Sequence, residues 1–209
     1  CNFVLLGLLA GAAGAQELSS LQLPEPRRTG GMPLMQALAA RASTRAYREQ
    51  ALTMQQISDL LWAAAGYNRA DKKKRTAPSA ANWQEIDLYV ATGRGLYLYQ
   101  PARHFLKAVL DEDIRSMTGT QEYFNEAPVE LIYVADYDRM KSVSPGEREF
   151  FSAADAAFMC QNVYLYCASE GLGAVVRAVI NRHALHRRMN LRPHQQVVLA
   201  QTVGYPSAP

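Results

Sequence analysis

Residues 41–47, with the sequence RASTRAY, hold two arginines around a serine and a threonine where an amphipathic run of apolar residues ends. Arg41 and Arg45 are one helical turn apart, and Ser43 adds a hydroxyl group between them. A phosphate could therefore collect two charge-assisted hydrogen bonds and one neutral one from this segment. Arginines near a serine are also common at the solvated end of a helix, so the segment alone leaves both interpretations open.

A second polar cluster lies in residues 75–90, RTAPSAANWQEIDLYV, where a proline-containing loop leads into a strand. Arg75, Ser79, Asn82 and Gln84 lie on that loop and could offer hydrogen bonds at the strand end. An ordinary polar connection accounts for the same composition, so this loop by itself does not define a binding site.

Other catalytic or metal-binding motifs are absent from the sequence or have a simpler explanation. There is no GxSxG nucleophile elbow, no phosphate-binding P-loop and no HExxH zinc motif. His183 and His186 stand three apart among four arginines, which favours a solvated basic helix face over a metal site. Cys160 and Cys167 are seven residues apart on one predicted helix, roughly 10 Å along its axis, which is too far for a disulfide.

The composition is typical of one soluble domain. The chain has 209 residues, of which 49% are hydrophobic and 20% charged, and it can bury one sizeable core. The formal net charge is +3, and the basic residues are dispersed except at residues 71–75, DKKKR. No basic face of the size that nucleic acid requires is expected, so nucleic acid is not an expected partner.

The amino-terminal residues differ in kind from the rest. The run FVLLGLLAGAAGAQ is short and apolar and ends in small residues, with Ala13 and Ala15 placed as in a signal-peptide cleavage site. It is too short to span a membrane as a mature helix, so stable membrane insertion is not expected. We predict a signal-peptide-like segment at 1–15, a Pro/Gly-rich linker at 16–31 and a folded domain at 32–209, exported to the periplasm. The alternative is an apolar arm packed on a cytoplasmic protein.

The patterns of the remaining chain predict an α+β fold with a single sheet flanked by helices. Strands are expected in IDLYVAT, GLYLYQ, PVELIYVAD, GAVVRAV and QVVLAQTVG, which are rich in β-branched and aromatic residues. Helices are expected in LMQALAARA and in TMQQISDLLWAAAG, where Thr53 is a candidate N-cap and Gly66 a candidate end. The longest expected helix, EREFFSAADAAFMCQNVYLYCASEG, is apolar on most sides, as a buried central helix is.

Six segments together resemble the FMN-dependent nitroreductases, and within them the branch nearest the oxidases that aromatise azolines in peptides. They are the Arg41-x-Ser43-x-Arg45 pattern, LLWAAAGYNR, RTAPSAANWQEIDLYV, APVELIYVAD, a long helix ending in EGLG, and the terminal QTVGYP. They follow one another in the family's order from residue 32 to residue 206. The resemblance implies a nitroreductase-like fold, FMN as cofactor, and a homodimer with the flavin between two subunits.

The resemblance also implies roles for the first cluster. Arg41, Ala42 and Ser43 match the segment that holds the FMN phosphate and ribityl chain. Arg45 matches the basic residue at the pyrimidine edge of the flavin, where reduction builds negative charge. The family's basic pair beyond the last strand is absent from this sequence, and Arg75 is the candidate to replace it.

The remaining cofactor contacts implied by the resemblance lie in three segments. The loop that lines the flavin ring matches Pro78, Ser79, Ala80 and Asn82, and the amide-bearing residue at the flavin edge matches Gln121. The segment that faces flavin N5 falls at Val176, Arg177 and Ala178. Many members of the family carry Glu-Gly near there and this chain does not, but backbone N–H groups could serve regardless of the side chain.

The implied activity is that of an FMN-dependent oxidoreductase that passes two electrons, as a hydride, through flavin N5. NAD(P)H is the family's usual donor, and nitroaromatic compounds and quinones are its usual acceptors. Export conflicts with NAD(P)H, a cytoplasmic reductant, so an oxidase or dehydrogenase of an extracytoplasmic substrate is one alternative. A flavin-binding protein without turnover and a binding module that has lost its cofactor are two others, and the intact Arg41, Ser43 and Arg45 argue against the last.

Overall fold

The computed structural model describes residues 18–119 and 127–207, which form nine β-strands and four α-helices. In chain order the strands and helices are β1 (Leu21–Gln22), α1 (Leu34–Ala40), α2 (Met54–Ala65), β2 (Tyr67–Arg69), β3 (Lys74–Arg75), β4 (Ile86–Thr92), β5 (Gly95–Gln100), β6 (Phe105–Leu110), β7 (Val129–Asp136), α3 (Pro145–Ser169), β8 (Gly173–Arg177), α4 (Arg182–Arg188) and β9 (Gln195–Gly204). Strands β2 and β3 form a separate hairpin. The predicted α+β fold is confirmed.

The other seven strands form one antiparallel sheet in the order β1-β6-β5-β4-β7-β9-β8. Strand β7 lies between β4 and β9 and is buried at every position. Its alternate residues point to opposite faces: Leu131 and Tyr133 enter one hydrophobic core, and Ile132 and Val134 enter another. Burial on both faces explains why this strand is an almost continuous apolar run in the sequence.

Helix α2 begins and ends where its sequence predicts. Thr53 caps it through a reciprocal pair of hydrogen bonds with Gln56, and Gly66 follows its last residue. Leu60, Leu61 and Ala64 are fully buried in the core that α2 shares with α3 and the sheet. The sheet face beneath α2 and α3 therefore carries the larger core.

Helix α3 is the long central helix. Ser144 and Glu147 form a capping box at its start, and the helix runs for 25 residues. One face, including Met159 and Val163, is buried in the larger core. The opposite face exposes 70% of Phe150 and 48% of Phe158. Helix α3 therefore packs into the core on one side and exposes large apolar side chains on the other.

The structure corrects the predicted linker at residues 16–31 over the part that it describes. Leu21–Gln22 pairs with β6, and Leu23 is buried in the larger core. Asp59 of α2 accepts hydrogen bonds from both the backbone N–H and the Nε of Arg27, at 2.8 and 2.7 Å. The prolines and glycines shape the path of this segment, but its apolar and charged side chains have partners, so it belongs to the domain.

The signal-peptide-like segment, residues 1–15, lies outside the described residues. Across residues 18–119 and 127–207, none of the helices has the length and apolar character needed to cross a membrane.

Candidate functional site

After α1 ends, residues 41–48 run along the outer edge of the sheet. Ser43 forms an isolated parallel β-bridge with Ala174 of β8. In this pairing the Thr44 N–H donates to the Ala174 carbonyl at 2.9 Å. Gly173 permits this approach, because a Cβ atom there would lie 2.6 Å from the Thr44 side chain. The segment is thus extended along the sheet edge and is not the solvated helix end that the arginine spacing left open.

Three residues predicted to bind the cofactor meet at Tyr164 of α3. The Ser43 hydroxyl lies 3.1 Å from the Tyr164 hydroxyl, and the Val176 N–H donates to that hydroxyl at 2.9 Å. The Arg41 guanidinium stacks over the Tyr164 ring at 5.4 Å from the ring centre. The sequence did not single out Tyr164, yet this side chain joins the predicted phosphate segment to the strand predicted to face flavin N5.

Three more of the predicted residues lie at the surface beside this cluster. Ala42 and Arg45 are exposed on the segment that contains Arg41 and Ser43. Ala178 is exposed directly after the last residue of β8. The side chain of Arg45 and the backbone at Ala178 are therefore accessible to a ligand bound along this edge.

Arg177 points away from the cluster because side chains alternate along β8. Its buried guanidinium forms an ion pair with Glu130 of β7 and donates to the Thr118 hydroxyl at 2.9 Å. Thr202 of β9 donates to the other Glu130 oxygen at 2.9 Å. Burial raises the pKa of Glu130 to about 7, and Arg177 opposes that rise. Arg177 can offer a ligand only its backbone, while its side chain fixes β8 to the neighbouring strands.

The predicted ring-lining loop, residues 78–82, lies over the amino-terminal half of α3. Ala80 N–H donates to a carboxyl oxygen of Asp155 at 2.9 Å, and Gln84 N–H donates to the Ser79 hydroxyl at 3.0 Å. Pro78 is exposed on the same loop. The loop is held from below by α3 and presents its outer side to solvent.

A pair of buried carboxyl groups supports this loop. Glu85 is fully buried, and Asp155 is 2% exposed. Burial raises the pKa of Glu85 to about 7, and the neighbouring Asp155 carboxyl adds to the rise. Burial also raises the pKa of Asp155, which the Ala80 N–H opposes. The two groups share a low-dielectric environment, so their simultaneous ionisation is unfavourable.

Within one chain the two parts of the predicted site lie apart. Asp155 and Tyr164 are nine residues apart on α3, which corresponds to about 13 Å along the axis and roughly half a turn around it. Residues 78–82 contact the helix at Asp155, whereas Arg41 and Ser43 contact it at Tyr164. The body of α3 therefore stands between the phosphate segment and the ring-lining loop.

Arg75 also lies away from Arg41. Its side chain is buried, its Nη1 donates to the Ile86 carbonyl at 2.8 Å, and it lines a polar cleft together with Asn82. The structure does not bring Arg75 to the Arg41 cluster of the same chain. Gln121 lies outside the described residues.

The accessible groups suit a ligand with a phosphate at one end. Arg41 and Arg45 supply guanidinium groups, Ser43 supplies a hydroxyl, and the end of β8 supplies backbone donors. The fold and these groups together indicate an α+β protein whose sheet edge could bind a phosphate-bearing cofactor.

Comparison with known proteins shows which family the chain belongs to. The nitroreductase family model matches residues 38–205. A Methanocaldococcus jannaschii protein described as a nitroreductase is 32% identical over 166 residues, covering 74% of this chain and 81% of that protein. The chain belongs to the nitroreductase family.

Two solved structures extend the comparison. The crystal structure of a Ralstonia eutropha protein described as a nitroreductase has a TM-score of 0.88 and 48% identity, covering 92% of this chain and 91% of that one. A chain of the Escherichia coli microcin synthetase McbBCD complex has a TM-score of 0.69 and 17% identity, covering 99% of this chain and 85% of that one. This second likeness shows the shared fold.

The chain is therefore a flavin-dependent oxidoreductase, and its cofactor is FMN. The groups around Tyr164 fit FMN, because the Arg41 guanidinium and the Ser43 hydroxyl match the charge and acceptor oxygens of its phosphate.

Proposed function

We propose that the protein is a homodimer that transfers a hydride from NAD(P)H to nitroaromatic or quinone-like acceptors. In this proposal each FMN lies between residues 41–45 of one subunit and residues 78–82 of the other. When bound, FMN supplies the redox chemistry, since its N5 accepts a hydride from a donor and passes two electrons to an acceptor.

The separation of the two predicted parts along α3 carries this proposal. They contact α3 about 13 Å apart and on roughly opposite sides, so a flavin bound at Arg41 would have to pass around the helix to reach residues 78–82 of the same chain. A second subunit could bring its own loop to the Arg41 segment. Two-fold symmetry would then generate two equivalent sites.

An uncovered apolar surface on α1 and α3 supports the dimer. Helix α1 packs against α3, and both helices expose large hydrophobic side chains. These are Leu34 (63% exposed), Met35 (74%), Leu38 (44%), Phe150 (70%) and Phe158 (48%). Large apolar side chains gathered on adjacent helices are typical of an interface between subunits.

The residues of the chain would position the cofactor rather than exchange protons. Arg41 and Ser43 would bind the phosphate, and Arg45 would place positive charge at the pyrimidine edge. Backbone N–H groups after β8 would face the flavin edge. Residues 78–82 of the second subunit would cover the ring and exclude water.

A mixed dimer tests the shared site. Subunits carrying Arg41→Ala and subunits carrying Asn82→Asp are co-expressed with different affinity tags, and the doubly tagged dimer is isolated. If the site is shared between subunits, both substitutions fall in one site and the other is intact, so the dimer retains about half of the wild-type flavin. A mixed dimer as empty as the two parent homodimers would show that each site is built within one chain.

The phosphate contact is tested by comparing two ligands. Arg41→Ala should weaken FMN roughly tenfold to a hundredfold, since a hydrogen bond between charged partners contributes about 1.5–3 kcal/mol. Riboflavin, which lacks the phosphate, should change little. Arg94→Ala, at an exposed arginine in the β4–β5 turn, is the matched control. Equal loss of FMN and riboflavin affinity would place the phosphate elsewhere.

The donor is tested by anaerobic titration of the yellow holoprotein. Bleaching of the flavin by NADH or NADPH, followed by reoxidation with a nitroaromatic compound or a quinone, is the expected result. Flavin that resists both nucleotides would favour the alternative, an oxidase or dehydrogenase of an extracytoplasmic substrate. Export remains a proposal that rests on the apolar pattern of residues 1–15.

A further inference from the structure

A polar cleft of about 620 Å³ lies beside the ring-lining loop and away from Tyr164. One wall is the β2–β3 hairpin with the turn between its strands, and another is the segment from Asn82 to Asp87. The third wall is the end of β5 with the turn that follows it. The cleft is large enough for a small organic molecule.

The walls of this cleft are strongly basic. Lys72, Lys73, Arg75 and Arg139 line it, against one lining carboxylate, that of Asp87. Arg139 already engages that carboxylate at 2.9 Å. Positive charge is therefore in excess on the described walls of the cleft, and a concave basic surface concentrates anions.

Arg75 is the least solvated of these cations. Its side chain is 9% exposed, and its Nε is buried without a hydrogen-bond partner among the described residues. Burial lowers the pKa of Arg75, and the nearby Asp87 opposes that effect only in part. A buried guanidinium is unfavourable unless an anion or a full set of acceptors faces it. Arg75 lines the cleft, so a bound anion would offset the charge of this poorly solvated guanidinium.

Backbone strain is concentrated in the same walls. Lys73, Asn82 and Gln84 line the cleft and adopt left-handed φ values of 49°, 56° and 51°. The Gln84 amide holds two of them together, since its Nε2 donates to the Lys73 carbonyl at 2.7 Å and to the Asn82 side chain at 3.2 Å. Such conformations cost free energy and cluster where a binding surface must be held in one shape.

We propose that this cleft is a second ligand site, separate from the FMN phosphate group at Arg41 and Ser43, that binds the phosphate or carboxylate end of a small organic anion. Because Asn82 lines the cleft and belongs to the ring-lining loop, the ligand would lie next to the flavin of the partner subunit. That adjacency, but not the anion site itself, rests on the proposed function.

The test is calorimetric titration of the FMN-loaded protein, and separately of the apoprotein, with inorganic pyrophosphate and with malonate. One saturable site per subunit is expected in the FMN-loaded form, with affinity that falls as salt is raised. In the apoprotein the empty phosphate site at Arg41 and Ser43 can bind a second anion, so there the cleft is recognised by the binding that the Lys72→Gln/Lys73→Gln variant loses. Preference for pyrophosphate would identify a phosphate ester as the natural ligand class, and preference for malonate a dicarboxylate. If the protein did not bind FMN, the proposed function would fail, but the titration of the apoprotein would still test the anion site.

Two kinds of variant locate the site. The double substitution Lys72→Gln/Lys73→Gln, at exposed positions, should weaken the bound probe about tenfold or more without changing the melting temperature. Arg75→Gln should do the same if the variant folds. Lys107→Gln, at an exposed lysine on β6, is the matched control and should leave the affinity unchanged.

Three results would overturn the proposal. One is the absence of saturable binding of either probe to the wild-type protein. The second is equal affinity in the wild type and in the Lys72→Gln/Lys73→Gln variant. The third is binding to the apoprotein that disappears on loading with FMN, since the anion would then occupy the cofactor's own phosphate site.

Discussion

The buried pair of Glu85 and Asp155 makes a sharp prediction about stability and pH. Glu85 is fully buried, and burial together with the neighbouring Asp155 carboxyl disfavours its charge. Its ionised form is therefore destabilised in the folded protein. We expect Glu85→Gln, which keeps the shape and removes the charge, to stabilise the protein relative to wild type at alkaline pH.

The magnitude follows from the shift in pKa. Burial raises the pKa of Glu85 from 4.5 to about 7, and each unit corresponds to about 1.4 kcal/mol, so the shift amounts to roughly 3 kcal/mol. Because the pKa is raised in the folded state, the folded protein binds more protons than the unfolded chain between these two values. The contribution of this group to stability is complete below pH 4.5 and is lost as the pH rises through 7.

The measurement is the free energy of unfolding in urea at several values between pH 4.5 and pH 8.5. The difference between Glu85→Gln and wild type should grow by up to about 3 kcal/mol across that range and then level off. Asp155 titrates together with Glu85 and contributes to this difference, whereas groups remote from the pair titrate equally in both proteins and cancel. A difference that stays constant with pH would refute the reasoning, because it would mean that Glu85 ionises normally in the folded state.

Glu130→Gln is a second test of the same reasoning, at a buried glutamate that has a cation beside it. Glu130 faces the buried guanidinium of Arg177 and accepts a hydrogen bond from Thr202, yet burial raises its pKa to about 7. At low pH both proteins therefore have a neutral side chain facing Arg177, and only the wild type ionises there as the pH rises. We expect the free energy of unfolding of Glu130→Gln, relative to wild type, to rise between pH 4.5 and pH 8.5; a relative free energy that falls would mean that Arg177 outweighs the effect of burial.

Substitutions at the site and at the subunit surface have their own expected results. Tyr164→Phe removes the hydroxyl that bonds to Ser43 and Val176, so the free energy of unfolding should fall by about 1–3 kcal/mol in urea. Arg45→Ala should lower the reduction potential of bound FMN in a potentiometric titration, because it withdraws positive charge from the ring edge; an unchanged potential would separate Arg45 from the flavin. Phe158→Glu should convert a dimer into monomers in sedimentation runs at micromolar concentration, whereas Lys107→Glu should not.

Much of the fold could be predicted because the central strands carry strong local patterns. IDLYVAT and GLYLYQ match β4 and β5 residue for residue, and Thr53 caps α2 as expected. Strand β1 could not be predicted in this way. It has only two residues, and what defines it is pairing with β6, more than eighty positions further along the chain. Short edge strands of this kind are specified by long-range contacts rather than by local pattern.

Part of the site could also be predicted, because it too follows a pattern that is visible in the sequence. The order of motifs identified Arg41, Ser43 and Val176, and the structure brings them together. Tyr164 was missed because its spacing from Cys160 and Cys167 is that of any core residue of a helix. Alternation along β8 could have shown that Arg177 and Val176 face opposite ways.

The position of residues 41–48 bears on when the protein can acquire its cofactor during synthesis. Ser43 and Tyr164 are 121 positions apart, and Arg48 and the Pro206 carbonyl, joined by a 3.0 Å hydrogen bond, are 158 positions apart. Closing such long loops is slow, and the ribosome releases the amino-terminal partner of each pair long before the other. Nascent chains that stop short of Ala174 should therefore retain no flavin, and cells should load FMN only into chains whose β8 and β9 have already folded.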